Sequence, residues 1–250
     1  MLSRALKKYV RSLGEKKYRN AYGCFLVEGL KNVGELLHSK NFEIQFICYT
    51  EKFSAIYPFL LSLSIEKYLC YADDLEEMGT LQTNDAALAV VKIPENSLLY
   101  PQENEWILAL DNVRDPGNLG AIIRIADWYN IQKIVCSFST VDCYNPKVIA
   151  SSMGSFTRVK LYYCSLRQYL ERLPMFPKWG AYTDEASIYD IKIPESGILI
   201  MGNESNGISP EVEEILDAKI SIPRLGNAES LNVSVATAIL IDNIVKKLRK

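Results

Sequence analysis

Three polar segments in the second half of the chain combine side chains that could bind and position a ligand. Residues 112–124 begin Asn-Val-Arg-Asp-Pro-Gly-Asn, residues 201–208 read Met-Gly-Asn-Glu-Ser-Asn-Gly-Ile, and residues 222–234 begin Ile-Pro-Arg-Leu-Gly-Asn. Each follows a short apolar run of the kind that forms a buried strand. Because ligands bind at the loops that follow the strands of an α/β domain, the three segments predict one composite site.

The first segment supplies an amide and a guanidinium. Pro116, Gly117 and Asn118 are turn-forming residues, and the Asn118 side chain could cap the helix that follows. Arg124 lies in the apolar stretch of residues 121–126. An arginine there must reach solvent, pair with an acid or contact an anionic ligand. The residues alone leave these alternatives open.

The second segment is a glycine-rich turn that fits neither of two common enzyme motifs. It lacks the G-x-G-x-x-G spacing of dinucleotide-binding loops, because Asn203 and Glu204 stand in the middle of the turn. It also lacks the G-x-S-x-G elbow of hydrolases. Gly202 would let the backbone approach a ligand closely. The alternative is a tight turn before a helix that Ser209 caps and Pro210 begins.

The third segment leads from a strand into the last helix, predicted over residues 231–248. Ser230 could cap this helix. Asn232 would need hydrogen-bond partners if it were buried at the start of an apolar helix. Apolar residues cover nearly the whole circumference of the helix up to Val245. Such a helix is normally buried on all sides, by its own domain, by a second subunit or by both.

Histidine and cysteine usage excludes several classes of enzyme. His38 is the only histidine, so a Ser-His-Asp triad or a histidine-ligated metal would depend on it alone. It ends a predicted helix, residues 30–38, and we interpret it as a surface residue. No two of the six cysteines have C-x-x-C spacing. We therefore expect buried free thiols and no metal site.

The elements that must position the site fall into two parts. Residues 1–93 alternate between helices and apolar strands, which predicts a smaller α/β domain with strands at residues 24–27, 44–49, 65–71 and 87–91. Residues 94–105 are rich in proline, asparagine and glutamate, which favours a linker. Residues 106–250 predict a second α/β domain with strands at residues 106–110, 133–137, 157–163, 180–182, 197–201 and 219–222.

The charge of the chain is uneven, although its formal net charge is only −2. Residues 1–20 hold one acid, Glu15, against seven bases: Arg4, Lys7, Lys8, Arg11, Lys16, Lys17 and Arg19. The last residues form a second basic cluster: Lys246, Lys247, Arg249 and Lys250. Either cluster could contact phosphates or could be the solvated face of a helix. Because the chain has neither an apolar run of about 18 residues nor a secretory signal, we expect a cytoplasmic protein.

In this order and after these strands, the three segments resemble the motifs of the SpoU (TrmH) family of RNA ribose methyltransferases. The resemblance covers residues 106–250, where residues 150–155 (Ala-Ser-Ser-Met-Gly-Ser) also look like the family's small-residue segment between the first two motifs. It extends more weakly to the front half, at residues 27–31 (Val-Glu-Gly-Leu-Lys). It implies a SPOUT-type α/β methyltransferase domain with a deep trefoil knot, preceded by a smaller RNA-binding domain. It also implies methyl transfer from S-adenosylmethionine to a ribose 2′-hydroxyl of rRNA or tRNA, by a homodimer with its active site near the subunit interface.

The resemblance also assigns roles to individual residues. Gly202, Ile222 and Leu231 match positions whose backbones hold the cofactor. Arg124 matches the catalytic arginine, for which we favour orienting the substrate phosphate and stabilising alkoxide charge. Four further residues match the polar positions that complete the site: Asn118, Glu204, Ser230 and Asn232. Arg224 departs from the family pattern, in which methionine usually follows Ile-Pro.

Two other functions stay open on the sequence. One is a catalytically silent RNA-binding protein of the same fold, which would be expected to have lost at least one polar site residue. The other is a knotted methyltransferase acting on a base, which would use other motifs. The sequence favours the ribose methyltransferase, with RNA and a second copy of the chain as partners and no membrane. It identifies neither the RNA nor the nucleotide, because RNA recognition depends on shape and unpaired bases.

Overall fold

The computed structural model describes residues 2–248. The first part of the chain contains helices α1 (Arg4–Ser12), α2 (Lys16–Tyr22), α3 (Leu30–His38), α4 (Glu51–Ile56) and α5 (Ala72–Met78), and strands β1 (Cys24–Glu28), β2 (Ile44–Tyr49), β3 (Glu66–Leu69) and β4 (Ala87–Lys92). The second part contains helices α6 (Pro116–Trp128), α7 (Pro146–Ser152), α8 (Leu166–Glu171), α9 (Pro210–Glu213) and α10 (Val233–Leu248). Its strands are β5 (Trp106–Leu110), β6 (Lys133–Ser137), β7 (Lys160–Cys164), β8 (Lys178–Tyr182), β9 (Ala186–Ser187), β10 (Gly197–Met201) and β11 (Ala218–Ser221).

These elements form two compact units. One combines the residues up to Glu95 with Asp142–Arg158, and the other combines Asn96–Val141 with the residues from Val159 onward. A segment from the second half of the chain, including α7, therefore belongs to the first unit. The domain boundaries predicted from composition, 1–93, 94–105 and 106–250, stay a prediction.

The first unit is a four-stranded sheet with helices on both faces. The strand order is β1-β4-β2-β3, with β4 antiparallel to β1 and β2, and β3 parallel to β2. Side chains alternate between the faces: Phe25 and Val27 pack in one buried cluster, and Leu26 in another. All four strands predicted for this part are present, and the predicted α/β layering is confirmed.

Three of the seven N-terminal bases pair with acids: Lys7, Lys17 with Glu15 at 3.0 Å, and Arg19. Arg19 is 1% exposed, pairs with Asp142 at 2.7 Å and donates to the carbonyl oxygens of Leu13 and Gly14. Lys7 pairs with two carboxylates of α5, Asp74 at 2.6 Å and Glu77 at 2.5 Å. Of the two interpretations of this cluster, phosphate contact is therefore wrong for the buried Arg19, and Lys7 is already paired with acids.

The second unit is a parallel sheet of seven strands in the order β7-β6-β5-β10-β8-β11-β9. Its strands β5, β6, β7, β8, β10 and β11 correspond to the six predicted ones, and β9 is a two-residue addition. The strand predicted at 157–163 begins at Lys160, because Ser155–Thr157 form a 3₁₀ turn. In a parallel sheet all carboxyl ends meet at one edge, which brings the three polar segments to the same side.

The last helix is buried on one face rather than all round. Val233, Thr237, Leu240 and other residues of this face are buried, and the helix packs against α6. Val235, on another face, is half exposed. Within the described residues its own unit thus covers only part of the apolar circumference. The predicted C-terminal basic cluster is described only in part, because Arg249 and Lys250 lie outside the described residues.

Three other expectations concern the whole chain. All six cysteines are free, and all but Cys70 are buried, as predicted. Among residues 2–248, no helix is long and apolar enough to span a membrane. The same residues contain no group of three or more histidine, cysteine or acidic side chains that could hold a metal. The trefoil knot implied by the family resemblance stays a prediction.

Candidate active site

A cavity of about 800 Å³ opens at the carboxyl ends of β8, β10 and β11. Its volume lies within the usual range for small-molecule sites. The loop after β10 and the long loop between β11 and α10 form its walls. Five of the eight predicted site residues line it: Gly202, Glu204, Ile222, Ser230 and Leu231.

Gly202 is required by the loop that carries it. A Cβ atom at this position would lie 2.3 Å from the carbonyl carbon of Gly207 and 2.4 Å from the nitrogen of Ile208. The loop closes this tightly because Asn203 and Gly207 exchange two backbone hydrogen bonds, of 2.8 and 2.9 Å. The sequence suggested that glycine allows a ligand to approach. The structure shows that it allows the loop's own backbone to approach.

Asn203 joins the first two segments, a role that the sequence analysis missed. Its Oδ1 accepts hydrogen bonds from the backbone nitrogens of Ser205 at 3.0 Å and Asn206 at 3.1 Å. Its Nδ2 donates to the carbonyl oxygen of Asn112 at 2.9 Å. An asparagine that opens a glycine-closed turn is a known signal for such side chain–backbone bonding. The signal predicts the turn, although not the contact with the first segment.

One side chain from each segment contributes to a hydrogen-bonded network beside the cavity. Asn118 Nδ2 donates to Glu204 Oε1 at 2.6 Å, and Asn232 Nδ2 donates to Asn118 Oδ1 at 3.0 Å. The structure therefore brings together three of the predicted site residues from positions up to 114 residues apart. Ser230, also predicted, lines the cavity but makes no hydrogen bond to these three within the described chain.

Two predicted helix caps are wrong. Asp115, not Asn118, caps α6: its Oδ1 accepts from the backbone nitrogen of Asn118 at 2.9 Å. Asn232, not Ser230, caps α10, where its Oδ1 accepts from the backbone nitrogen of Ser234 at 2.9 Å. Asn232 is also exposed rather than buried. The first correction leaves the Asn118 side chain free to link the other two segments, whereas Asn232 caps α10 through its Oδ1 and joins the network through its Nδ2.

Arg124 lies apart from this network. Its side chain is exposed on α6, is not part of the cavity wall, and makes no hydrogen bond or ion pair within residues 2–248. It shares a helix face with Trp128, which is 84% exposed. Of the alternatives open on the sequence, pairing with an acid is excluded for the described chain. Two alternatives remain: the Arg124 side chain contacts only solvent, or it contacts a ligand or a partner.

The cavity wall fits a ligand with an apolar ring and hydrogen-bonding edges. Ile222 and Leu231 supply apolar surface. No backbone N–H group of residues 224–231 donates a hydrogen bond to another group of the described chain. Together with the carbonyl groups of the same loop, these donors are available to a bound nucleoside-like molecule.

Comparisons with known proteins agree over most of the chain. Residues 105–242 match the sequence model of the SpoU rRNA Methylase family, and residues 7–89 match that of the MRM3-like substrate binding domain. The chain is 32% identical to the 23S rRNA (guanosine(2553)-2′-O)-methyltransferase RlmP of Bacillus subtilis, over 92% of each protein.

Solved structures show the same fold. A TrmH-family protein from Porphyromonas gingivalis, 34% identical, superimposes with a TM-score of 0.84 over 98% of both chains. The SpoU methyltransferase AviRb from Streptomyces viridochromogenes, solved with S-adenosylmethionine, gives a TM-score of 0.88 over 98% of both chains. It is 23% identical, so this second likeness concerns the fold alone.

Proposed function

The chain belongs to the SpoU rRNA methylase family, and we therefore propose that it methylates a ribose 2′-hydroxyl of 23S-type ribosomal RNA. It is an S-adenosylmethionine-dependent RNA 2′-O-methyltransferase. The choice of ribosomal over transfer RNA rests on one observation, the similarity to a 23S rRNA enzyme across 92% of both proteins. We assign substrate binding to residues 1–93 and methyl transfer to residues 106–250, joined by residues 94–105.

We assign the cavity to the cofactor. When bound, S-adenosylmethionine supplies an activated methyl group on a sulfonium. Gly202, Ile222 and Leu231 would hold it through backbone groups and apolar contacts, which the free N–H groups of residues 224–231 support. Glu204 and Ser230 line the same cavity and would contact either the cofactor or the target ribose.

The other polar residues would position the target ribose. Transfer requires the 2′-oxygen in line with the methyl group, so orientation supplies much of the rate. The network of Asn118, Glu204 and Asn232 fixes the three loops relative to one another. A guanidinium stays protonated in proteins, so we assign Arg124 to the substrate phosphate and to the developing alkoxide charge rather than to proton removal.

Asn118→Ala tests the network. The variant removes both hydrogen bonds that connect the first segment to Glu204 and Asn232. We expect kcat for methyl transfer to fall on the order of 100-fold, because small displacements of positioned groups have effects of that size. Asn206→Ala is the matched control, since the Asn206 side chain makes no hydrogen bond within the described chain and lies on the loop that carries Glu204. Equal rates for both variants would contradict a positioning role.

The basic face of α1 is proposed to contact RNA. With Lys7 and Arg19 engaged elsewhere, Arg4, Lys8 and Arg11 remain exposed, and their i, i+4, i+7 spacing places them on one side of the helix. Replacing all three by alanine should weaken RNA binding. The plot of the logarithm of the RNA-binding constant against the logarithm of the salt concentration should become less steep, its slope decreasing in magnitude by about 2. The exposed lysine of another region, Lys192→Ala, serves as control. An unchanged slope would mean that α1 only presents a solvated face.

We propose that the protein is a homodimer that pairs through α6 and α10. The support is an apolar surface left open on these two packed helices, with Trp128 84% exposed and Val235 half exposed. Arg124 lies on this surface, so pairing would place it at an active site near the interface. A solution mass of a single 28.3 kDa chain would contradict this proposal. Because its proposed substrate is ribosomal RNA, we also propose a cytoplasmic location.

The choice of RNA is tested with purified substrates. The protein and labelled S-adenosylmethionine are incubated separately with ribosomal and transfer RNA from a strain that lacks the protein. We expect label in the large ribosomal RNA. Label confined to transfer RNA would overturn the proposed substrate but not the reaction class.

A further inference from the structure

A second cleft lies at the same edge of the parallel sheet, beyond the cofactor cavity. It has a volume of about 300 Å³ and opens at the carboxyl ends of β6 and β7. Five aromatic residues line it, among them Tyr100, Phe138 and Tyr162. Gln168 of α8 and Arg172, which follows that helix, complete the polar part of the lining. Neither the family motifs nor the proposed reaction uses these residues.

The side chains that line the cleft are available to a ligand. Phe138 is 71% exposed and Tyr100 is 51% exposed. Gln168 and Arg172 are exposed, and neither makes a hydrogen bond or ion pair within residues 2–248. A neighbouring arginine on α8 behaves differently: Arg167 bonds Glu171 at 2.9 Å and Glu214 at 2.6 Å. The charge of Arg172 is therefore available to an anionic ligand.

Hydrogen bonds from neighbouring residues fix the walls of the cleft. Asn96 accepts a hydrogen bond from the backbone nitrogen of Tyr163 at 2.9 Å and donates to its carbonyl oxygen at 2.8 Å. The hydroxyl of the buried Tyr169 donates to the carbonyl oxygen of Leu99 at 2.6 Å. These contacts fix the segment that carries Tyr100 against the edge strand β7. The cleft is consequently formed before any ligand binds.

The chemistry of the lining is that of a nucleotide site. Planar rings stack on unpaired bases, a guanidinium binds phosphate, and a free amide can hydrogen-bond a base edge. None of the lining side chains is acidic. Burial raises the pKa of the Cys164 thiol to about 11, so this lining group is neutral as well. A base inside a double helix would not expose its face to such rings.

We propose that this cleft binds an unpaired nucleotide of the RNA substrate, with its base against Phe138 and Tyr100 and a phosphate on Arg172. The inference rests on the proposed function, because it concerns the same RNA. Three strand spacings separate β7 from β10 in the sheet, which is roughly 14 Å and corresponds to a few nucleotides. The bound nucleotide would thus be a near neighbour of the methylated one and would help to select the target.

Binding of short RNA tests the cleft directly. Fluorescent single-stranded oligoadenylate and oligouridylate, and a duplex of the two, are titrated with the full chain at one salt concentration. For Phe138→Ala, Tyr100→Ala and Arg172→Gln we expect single strands to bind about 5- to 100-fold more weakly than to the unmodified protein. The KM for ribosomal RNA should rise by a similar factor, with kcat and cofactor affinity unchanged.

The controls separate the cleft from the rest of the protein. Tyr189→Ala removes an exposed ring of the same unit outside the cleft and should leave both affinities unchanged. The replaced cleft side chains are exposed, so the variants should fold, which their melting temperatures will show. Single-strand affinities equal to those of Tyr189→Ala would overturn the inference even if the protein methylates RNA. Failure of the unmodified protein to transfer methyl groups would instead overturn the proposed function, while the oligonucleotide titrations still decide the cleft.

Discussion

Gly202→Ala is expected to weaken cofactor binding strongly while the protein stays folded. The new methyl group would lie 2.3 to 2.5 Å from backbone atoms of Gly207 and Ile208, which cannot move aside as a flexible side chain could. The loop must open, and the cavity wall that it forms is displaced. Overpacking of this kind costs up to about 3 kcal/mol, which corresponds to a loss of affinity on the order of 100-fold. Calorimetric titration with S-adenosylmethionine measures the effect.

Gly226→Ala is the matched control. Gly226 lines the same cavity, but a Cβ atom there would meet nothing within 4 Å. We expect its cofactor affinity to be close to that of the unmodified protein. If both variants bind equally well, the loop after β10 does not shape the cofactor site. If both variants lose cofactor binding, the cavity is sensitive to any added methyl group. The close approach of the loop backbone at Gly202 would then not be the cause.

Arg124→Ala is expected to slow methyl transfer severely and to preserve cofactor binding. The side chain is exposed, lies outside the cavity wall and bonds to nothing in the described chain, so its removal should not disturb the fold or the cofactor. Loss of a group that stabilises charge in the transition state lowers kcat by about 100- to 1,000-fold. Single-turnover transfer with saturating RNA and cofactor reports this step.

Arg124→Lys distinguishes charge from geometry. Lysine keeps the positive charge and loses the two-pronged guanidinium that matches a phosphate. We expect partial activity, between that of the alanine variant and the unmodified protein. Lys192→Ala, an exposed base elsewhere in the unit, should transfer normally. Normal transfer by Arg124→Ala would refute the assigned role and leave an arginine that only contacts solvent.

The predictions that succeeded depend on short-range patterns. Apolar runs located the strands, and the order of the polar segments placed them at one edge of the sheet. The two cap assignments failed because Asp115 and Asn118, like Ser230 and Asn232, are both good capping residues a few positions apart. Which of the two accepts the first backbone hydrogen bonds depends on where the helix begins. At α6 the same choice leaves Asn118 free for the site, and a pattern of residue types does not contain it.

The long-range contacts that the sequence does not show have a different cause. Basic residues near the N-terminus look alike in the sequence, yet Arg19 meets Asp142, 123 residues away, and is buried. The segment around α7 packs with the first unit although it follows strands of the second. Its buried residues Ile149 and Phe156 belong to the core of that unit. Such pairings follow from tertiary packing, which local propensity and periodicity do not record.

The most direct test of the proposed function is to identify the methylated nucleoside. Ribosomal RNA from a strain lacking the protein is treated with the purified enzyme and labelled S-adenosylmethionine, digested, and analysed by nucleoside mass spectrometry. We predict a single nucleoside whose added methyl group is on the ribose. A methyl group on the base, or cofactor binding without transfer to any RNA, would contradict the assignment of this chain as a 2′-O-methyltransferase.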